Sequence, residues 1–178
     1  MSAARVAIRR GKSVVLVTDG PPGGDCTFTG CVPSKTLLAS GGLPFAEAME
    51  RVHATIAAIA ADESAEVLRK EGIEVVLGRA EVRSRGEVVV DGITFRPRKL
   101  VLATGSEPVV PPIPGLADVP YLTNESLFEL AVLPKHLAVL GGGAIGAEMA
   151  QAFRQLGSQV TVVEALDRLL SKEEPDAS

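Results

Sequence analysis

The chain has 178 residues, 46% of them hydrophobic, with 18 glycines and a formal net charge of −4, which is enough apolar content for a buried core in one or two domains. Eighteen basic residues against 22 acidic ones, no basic block and only 3% aromatic residues argue against nucleic acid as a partner. No apolar stretch approaches a membrane span, and Arg5, Arg9 and Arg10 interrupt the N-terminal apolar residues in a way no signal peptide does, so a cytoplasmic location without membrane association is expected.

In chain order, residues 1–17 read as a helix, a glycine and a strand. The only two cysteines follow, in Gly24-Asp25-Cys26-Thr27-Phe28-Thr29-Gly30-Cys31-Val32-Pro33-Ser34-Lys35. Pro33 pre-sets the backbone of a first helical turn, so Cys31 lies where unpaired N–H groups and the positive end of the helix dipole favour a thiolate. Side chains five residues apart diverge on a regular helix, and a disulfide needs Cα atoms within about 7 Å. Cys26 and residues 27–30 are therefore expected to form an irregular turn. The placement favours a reversible redox pair, but a structural staple, two buried thiols or half of a zinc site remain open on the residues alone. A staple closing so short a loop contributes only roughly 2 kcal/mol. Zinc wants four ligands, and His53 and His136 offer no matching spacing, so no metal site is expected.

Residues 45–70 carry apolar residues at helical spacing, consistent with one or two helices broken near 62–64. Short β-branched runs come next at 73–77, 88–90 and 93–95, the last two joined by Asp91-Gly92, a strong hairpin turn. Leu100-Val101-Leu102-Ala103 reads as a further strand ending in Thr104-Gly105. Prolines at 108–114 mark a stiff connector, and 120–134 a link to the next strand.

That strand opens the second strong feature. Leu137-Ala138-Val139-Leu140 leads into Gly141-Gly142-Gly143-Ala144-Ile145-Gly146, a helix from Ala147, then Gly157 and the strand Val160-Thr161-Val162-Val163-Glu164. Gly141 and Gly143 allow a tight turn and close approach of a pyrophosphate to the helix N-terminus, while Gly146 permits close helix–strand packing. Glu164 follows Gly143 by 21 residues, the spacing of an acid that hydrogen-bonds a ribose diol. Such an acid favours NAD over NADP, with Arg168 as a complication because a cation four residues on could reach a phosphate. The segment from Arg10 to Val17 repeats that from Leu156 to Val163: Gly11 maps onto Gly157 and Val17 onto Val163, an offset of 146 residues. On this alignment the chain opens inside the helix of a second dinucleotide-binding unit, whose glycine turn and first strand fall before Met1. Thr18 stands at the place of Glu164, with Asp19 adjacent. The polar tail at 171–178 ends the chain without the third strand a doubly wound half needs.

The segment from Gly24 to Lys35 resembles the redox-active disulfide of the class I pyridine nucleotide-disulfide oxidoreductases, the flavoenzyme family containing dihydrolipoamide dehydrogenase, glutathione reductase and mercuric reductase. It most resembles the mercuric reductase-like branch, and the likeness extends through Leu102-Ala103-Thr104-Gly105-Ser106 and the glycine fingerprint. The resemblance implies an α/β, Rossmann-like FAD/NAD(P)-binding architecture, truncated at both ends, with a small β-meander. Residues 1–119 are then a partial FAD-binding domain and 120–178 a linker and the first βαβ unit of an NAD(P)-binding domain. It further implies electron flow from NAD(P)H through FAD to the disulfide and on to a small-molecule disulfide or a metal ion. Cys31 matches the thiol nearest the flavin and Cys26 the interchange thiol. Lys35 and Glu148 match an ion pair beside the flavin ring. Gly24, Thr104 and Gly105, with Gly141, Gly143, Ile145, Gly146 and Glu164, complete the cofactor-binding candidates. Intact relatives are homodimers whose C-terminal domain supplies a His-Glu pair, a role neither His53 nor His136 can be assigned, and a noncatalytic nucleotide-binding remnant is the alternative.

Overall fold

In the computed structural model of the chain, residues 1–84 and 86–177 are described. They form two compact units, each built from two stretches: Met1–Thr27 with Ala57–Val109, and Phe28–Ile56 with Val110–Ser178.

The first unit opens with helix α1 (Ser2–Arg9) and strand β1 (Val15–Thr18). β1 pairs in parallel with β2 (Glu74–Leu77), Val15 opposite Glu74 and Thr18 opposite Leu77. Helix α5 (Ala65–Lys70) leads into β2. Its start is set by Ser64, whose Oγ accepts from the Val67 N–H at 3.4 Å, an N-cap that divides the predicted helical stretch where expected. Ala4, Leu68, Ile73 and Val75 form the core of this unit, with Ile8, Val14 and Leu16 packed around them. Outside it, Arg5 forks onto Glu71 at 2.7 and 3.0 Å. An antiparallel meander follows, β3 (Ala80–Ser84), β4 (Glu87–Val90) and β5 (Ile93–Phe95). The hairpin between β4 and β5 turns on Asp91 and Gly92, both at positive φ, 47° and 83°, as the Asp-Gly pair dictates.

One expected strand does not form. Residues 100–103 adopt no regular structure and are exposed, Leu102 at 71%. An apolar sequence becomes a strand only when another strand takes up its N–H and C=O groups. Among the described residues none pairs with this segment, and β1 pairs with β2 alone.

The second unit contains α3 (Cys31–Leu38), most of α4 (Phe45–Asp62), β6 (His136–Leu140), α6 (Ala144–Gln155) and β7 (Gln159–Val163). β6 and β7 pair in parallel from His136 opposite Gln159 to Leu140 opposite Val163, so α6 is the crossover of a βαβ unit. Met149, Ala152, Phe153 and Leu156 recur at helical spacing and are buried against Leu37, Ala48, Met49 and Val52. The Phe153 ring lies 6.2 Å from that of Phe45, tilted by 44°. The link at 120–134 does more than connect: Leu127 and Phe128, on a 3₁₀ turn, are buried in this core. The Phe128 carbonyl meets His53 Nε2 at 2.9 Å, which gives that histidine a structural partner. Both units fit the α/β, Rossmann-like class with a small meander.

Candidate functional site

The glycine turn of the second unit has the geometry its spacing implies. Gly141 follows β6 at φ 102°, a conformation that side-chain-bearing residues rarely adopt. Gly143 is the N-cap of α6, so the helix begins at Ala144, three residues earlier than expected. Gly146 thereby falls in the first helical turn, where a Cβ would drive into the Gly141 carbonyl and stand 3.4 Å from Val139 Cγ1. The first helical bond runs from the Ala147 N–H to the Gly143 carbonyl at 2.9 Å. The N–H groups of Ala144, Ile145 and Gly146 have no intrahelical acceptor. Gly143, Ala144 and Ile145 are exposed, Ile145 at 71%. A turn without side chains, at the positive end of a three-turn helix, fits a dinucleotide pyrophosphate.

Glu164 lies one residue past β7, half-buried. Its Oε2 accepts from the Gly142 N–H at 2.6 Å, and its Oε1 from the Ala165 and Leu166 N–H groups at 2.8 and 3.0 Å. These bonds, that of Gly142 foremost, hold its carboxyl below the usual glutamate range against the opposing effect of burial. Three N–H groups leave a carboxylate with acceptor capacity to spare for a ribose hydroxyl. Arg168 is turned inward: its Nη1 donates to the carbonyls of Leu170 and Glu174 and its Nη2 to those of Ser171 and Glu173, at 2.7–3.5 Å.

The irregular turn expected at 26–30 is shorter than predicted. Cys26 sits on a short helix, α2 (Gly24–Phe28), and the break is confined to Thr29 and Gly30 before α3 begins at Cys31. Cys26 and Cys31 are both exposed thiols. Pro33 is the third residue of α3, buried, at a position whose N–H would have no helical acceptor, so its ring costs no bond. One turn on, Lys35 Nζ meets Glu148 Oε1 at 2.8 Å and Oε2 at 3.0 Å. The pair named from sequence is thus brought together. Glu148 stands on the second turn of α6, because the helix starts early.

In the first unit, the irregular segment at Thr104 and Gly105 is held beside α2. The Ser106 N–H donates to Asp25 Oδ2 at 3.4 Å, and a Cβ at Gly105 would lie 2.9 Å from that oxygen. Asp25 therefore ties the helix carrying Cys26 to an irregular segment 81 residues away, a role that nothing local to its sequence signals. Buried Thr27 likewise donates to Glu63 at 2.7 Å. Residues 100–110 are all exposed. Among the described residues no three of His, Cys, Asp and Glu gather at metal-binding distance, and no helix is long and apolar enough to cross a membrane.

Comparison with known proteins agrees with this geometry. The chain is 33% identical over 196 residues to mercuric reductase of Staphylococcus aureus, 37% over 202 residues to that of Streptomyces lividans, and 31% over 198 residues to dihydrolipoyl dehydrogenase of Acholeplasma laidlawii. These matches take in 98–99% of the chain and 36%, 42% and 59% of the respective relatives. Among solved structures, the HOCl-induced flavoprotein disulfide reductase RclA from Escherichia coli, as its Cu(II) complex, superposes with a TM-score of 0.87 at 32% identity, covering 98% of this chain and 41% of that one. The chain thus spans between about a third and three fifths of the length of these relatives. The family model for pyridine nucleotide-disulphide oxidoreductases matches residues 1–178 in full, and the chain belongs to that family.

Proposed function

We propose that the chain is the dithiol- and nucleotide-bearing part of an FAD-dependent, mercuric reductase-like oxidoreductase. In this reading NAD(P)H and one proton reduce a Cys26–Cys31 disulfide to two thiols, a two-electron step, and the dithiol then reduces a small-molecule disulfide or a metal ion. The observation that carries it is the concurrence, in one short chain, of two cysteines flanking the start of α3 with a built glycine turn and its acid. Cys26 takes the role of the thiol that attacks substrate and Cys31 that of its partner at the helix start. Lys35 and Glu148 are assigned to the flavin side of the site. Residues 1–119 supply the FAD-domain portion and 120–178 the NAD(P) portion. NAD is favoured over NADP because the Glu164 carboxylate repels a 2′-phosphate.

Alkylation before and after mild reduction, read by mass spectrometry, tests the dithiol role. Two thiols that become alkylable together only after reduction support it, and two thiols alkylated at once in the air-oxidised, folded protein rule it out.

A further inference from the structure

The segment after β7 is a strap across the glycine turn. It ties both backbone groups of Gly142: the N–H donates to Glu164 at 2.6 Å, and the carbonyl accepts from the Leu170 N–H at 2.8 Å. The Leu169 side chain closes on the Gly142 Cα so tightly that a Cβ there would collide with its Cδ2. Gly142 is buried as a result, while Gly141 and Gly143 on either side are exposed. Leu170 stands at φ 48°, a left-handed conformation uncommon for a residue of this kind and kept only where surrounding contacts enforce it. Those contacts come from Arg168, whose planar fork collects four carbonyls, including that of Leu170 itself, and from the Glu173 N–H on the same carbonyl at 2.8 Å.

We propose that Arg168 is the clamp of this strap, a positioning residue that holds Glu164 and Gly142 in the arrangement that prefers an unphosphorylated ribose, and that it is not a receptor for a 2′-phosphate. With both Nη1 and Nη2 spent on carbonyls, the guanidinium keeps no pair of donors for bidentate phosphate recognition. Loosening it releases Leu170 from Gly142 and lets Glu164 drift from the place where it repels phosphate. The inference rests on the reading that the glycine turn binds a dinucleotide.

The experiment compares the whole chain with Arg168→Gln by calorimetric titration with NADH and with NADPH, alongside amide hydrogen exchange. A clamp predicts that the NADH-to-NADPH affinity ratio falls by about threefold or more, while the Gly142 and Leu170 amides exchange faster and those of α6 do not. A phosphate receptor predicts the opposite sign, NADPH affinity lost selectively and the ratio raised. Equal weakening of both nucleotides means a merely structural arginine. Either of the last two overturns the proposal. If Arg168→Gln unfolds the unit, Arg168→Lys, which keeps the charge without the fork, carries the same test. If neither nucleotide binds the unmodified chain, the dinucleotide reading fails, and the exchange measurement still decides whether Arg168 holds the strap.

Discussion

Helix α6 with β7 and helix α1 with β1 are two renderings of one pattern, 146 residues apart, and they differ in how they are buried. α6 places Met149, Phe153 and Leu156 in the core. At the same offset α1 and its C-cap carry Ala3, Ala7 and Arg10, of which Ala3 and Arg10 are exposed and Ala7 half-buried. The strand ends differ as well. Glu164 gathers three backbone N–H groups and reaches the glycine turn, whereas the hydroxyl of Thr18 donates to the Gly20 carbonyl at 3.0 Å, two residues along. Adjacent Asp19 is exposed. The shared helix–glycine–strand pattern is therefore anchored and hydrogen-bonded differently in its two copies: only the second has large buried residues on the helix and an acid that reaches the glycine turn.

The largest effect that tests this contrast is all-or-none. The 178-residue chain is expected to retain no stoichiometric FAD and to show no flavin-dependent turnover, because Thr18 at the strand end turns to the Gly20 carbonyl and offers no carboxylate to a ribose. Adding excess FAD, gel-filtering and recording the visible spectrum with NAD(P)H oxidation checks it. A yellow protein with about one flavin per chain refutes the contrast.

Next in size is core truncation. Phe153→Ala removes a fully buried ring and is expected to cost about 3–5 kcal/mol in denaturant unfolding. Ala7→Gly, at the equivalent place in α1, is expected to cost no more than about 1 kcal/mol, the propensity difference alone. Similar losses at the two positions would erase the distinction between the helices.

Glu164 gives a smaller effect with a definite sign. If the turn binds a nucleotide, NADH should bind at least about tenfold more tightly than NADPH, a difference of ~1.4 kcal/mol, and Glu164→Gln should narrow that gap. Its carboxyl is held low in the folded state. The stability it contributes is therefore complete above the unfolded glutamate value of about 4.3 and is lost as pH falls through the lower folded value. Unfolding curves of the native chain and of Glu164→Gln should converge as pH drops through that window, and a constant separation would show that the Gly142 contact contributes nothing through charge.

The smallest effect belongs to Lys35 and Glu148. Their ion pair is short, 2.8 Å, but the Lys35 side chain is 64% exposed, so solvent screens it and a double-mutant cycle should return at most about 1 kcal/mol of coupling. A larger coupling would mark the pair as part of the fold and not as a pair reserved for a cofactor.

What the sequence determined by itself is what short-range backbone geometry controls. The strand, glycine turn, helix and strand around Gly141, the Asp91-Gly92 hairpin and the helix break at Ser64 were legible because a positive φ, a tight turn or a cap is dictated by a few adjacent residues. Only tertiary structure decided the rest. Leu100-Val101-Leu102-Ala103 has the composition of a strand and is not one, since a ladder requires a neighbour that composition cannot supply. β3 went unrecognised for the converse reason: Ala80-Glu81-Val82-Arg83-Ser84 holds only one strong strand former and all five residues are exposed, yet β4 pairs with it. Leu127 and Phe128 lie in what reads as a linker and are buried because the apolar faces of α4 and α6 lie against them. Asp25 reaching Ser106 and Arg168 collecting the strap were equally hidden. Hydrogen bonds to backbone groups carry no sequence signature, and which carbonyl or N–H comes within reach is settled only when the chain has folded.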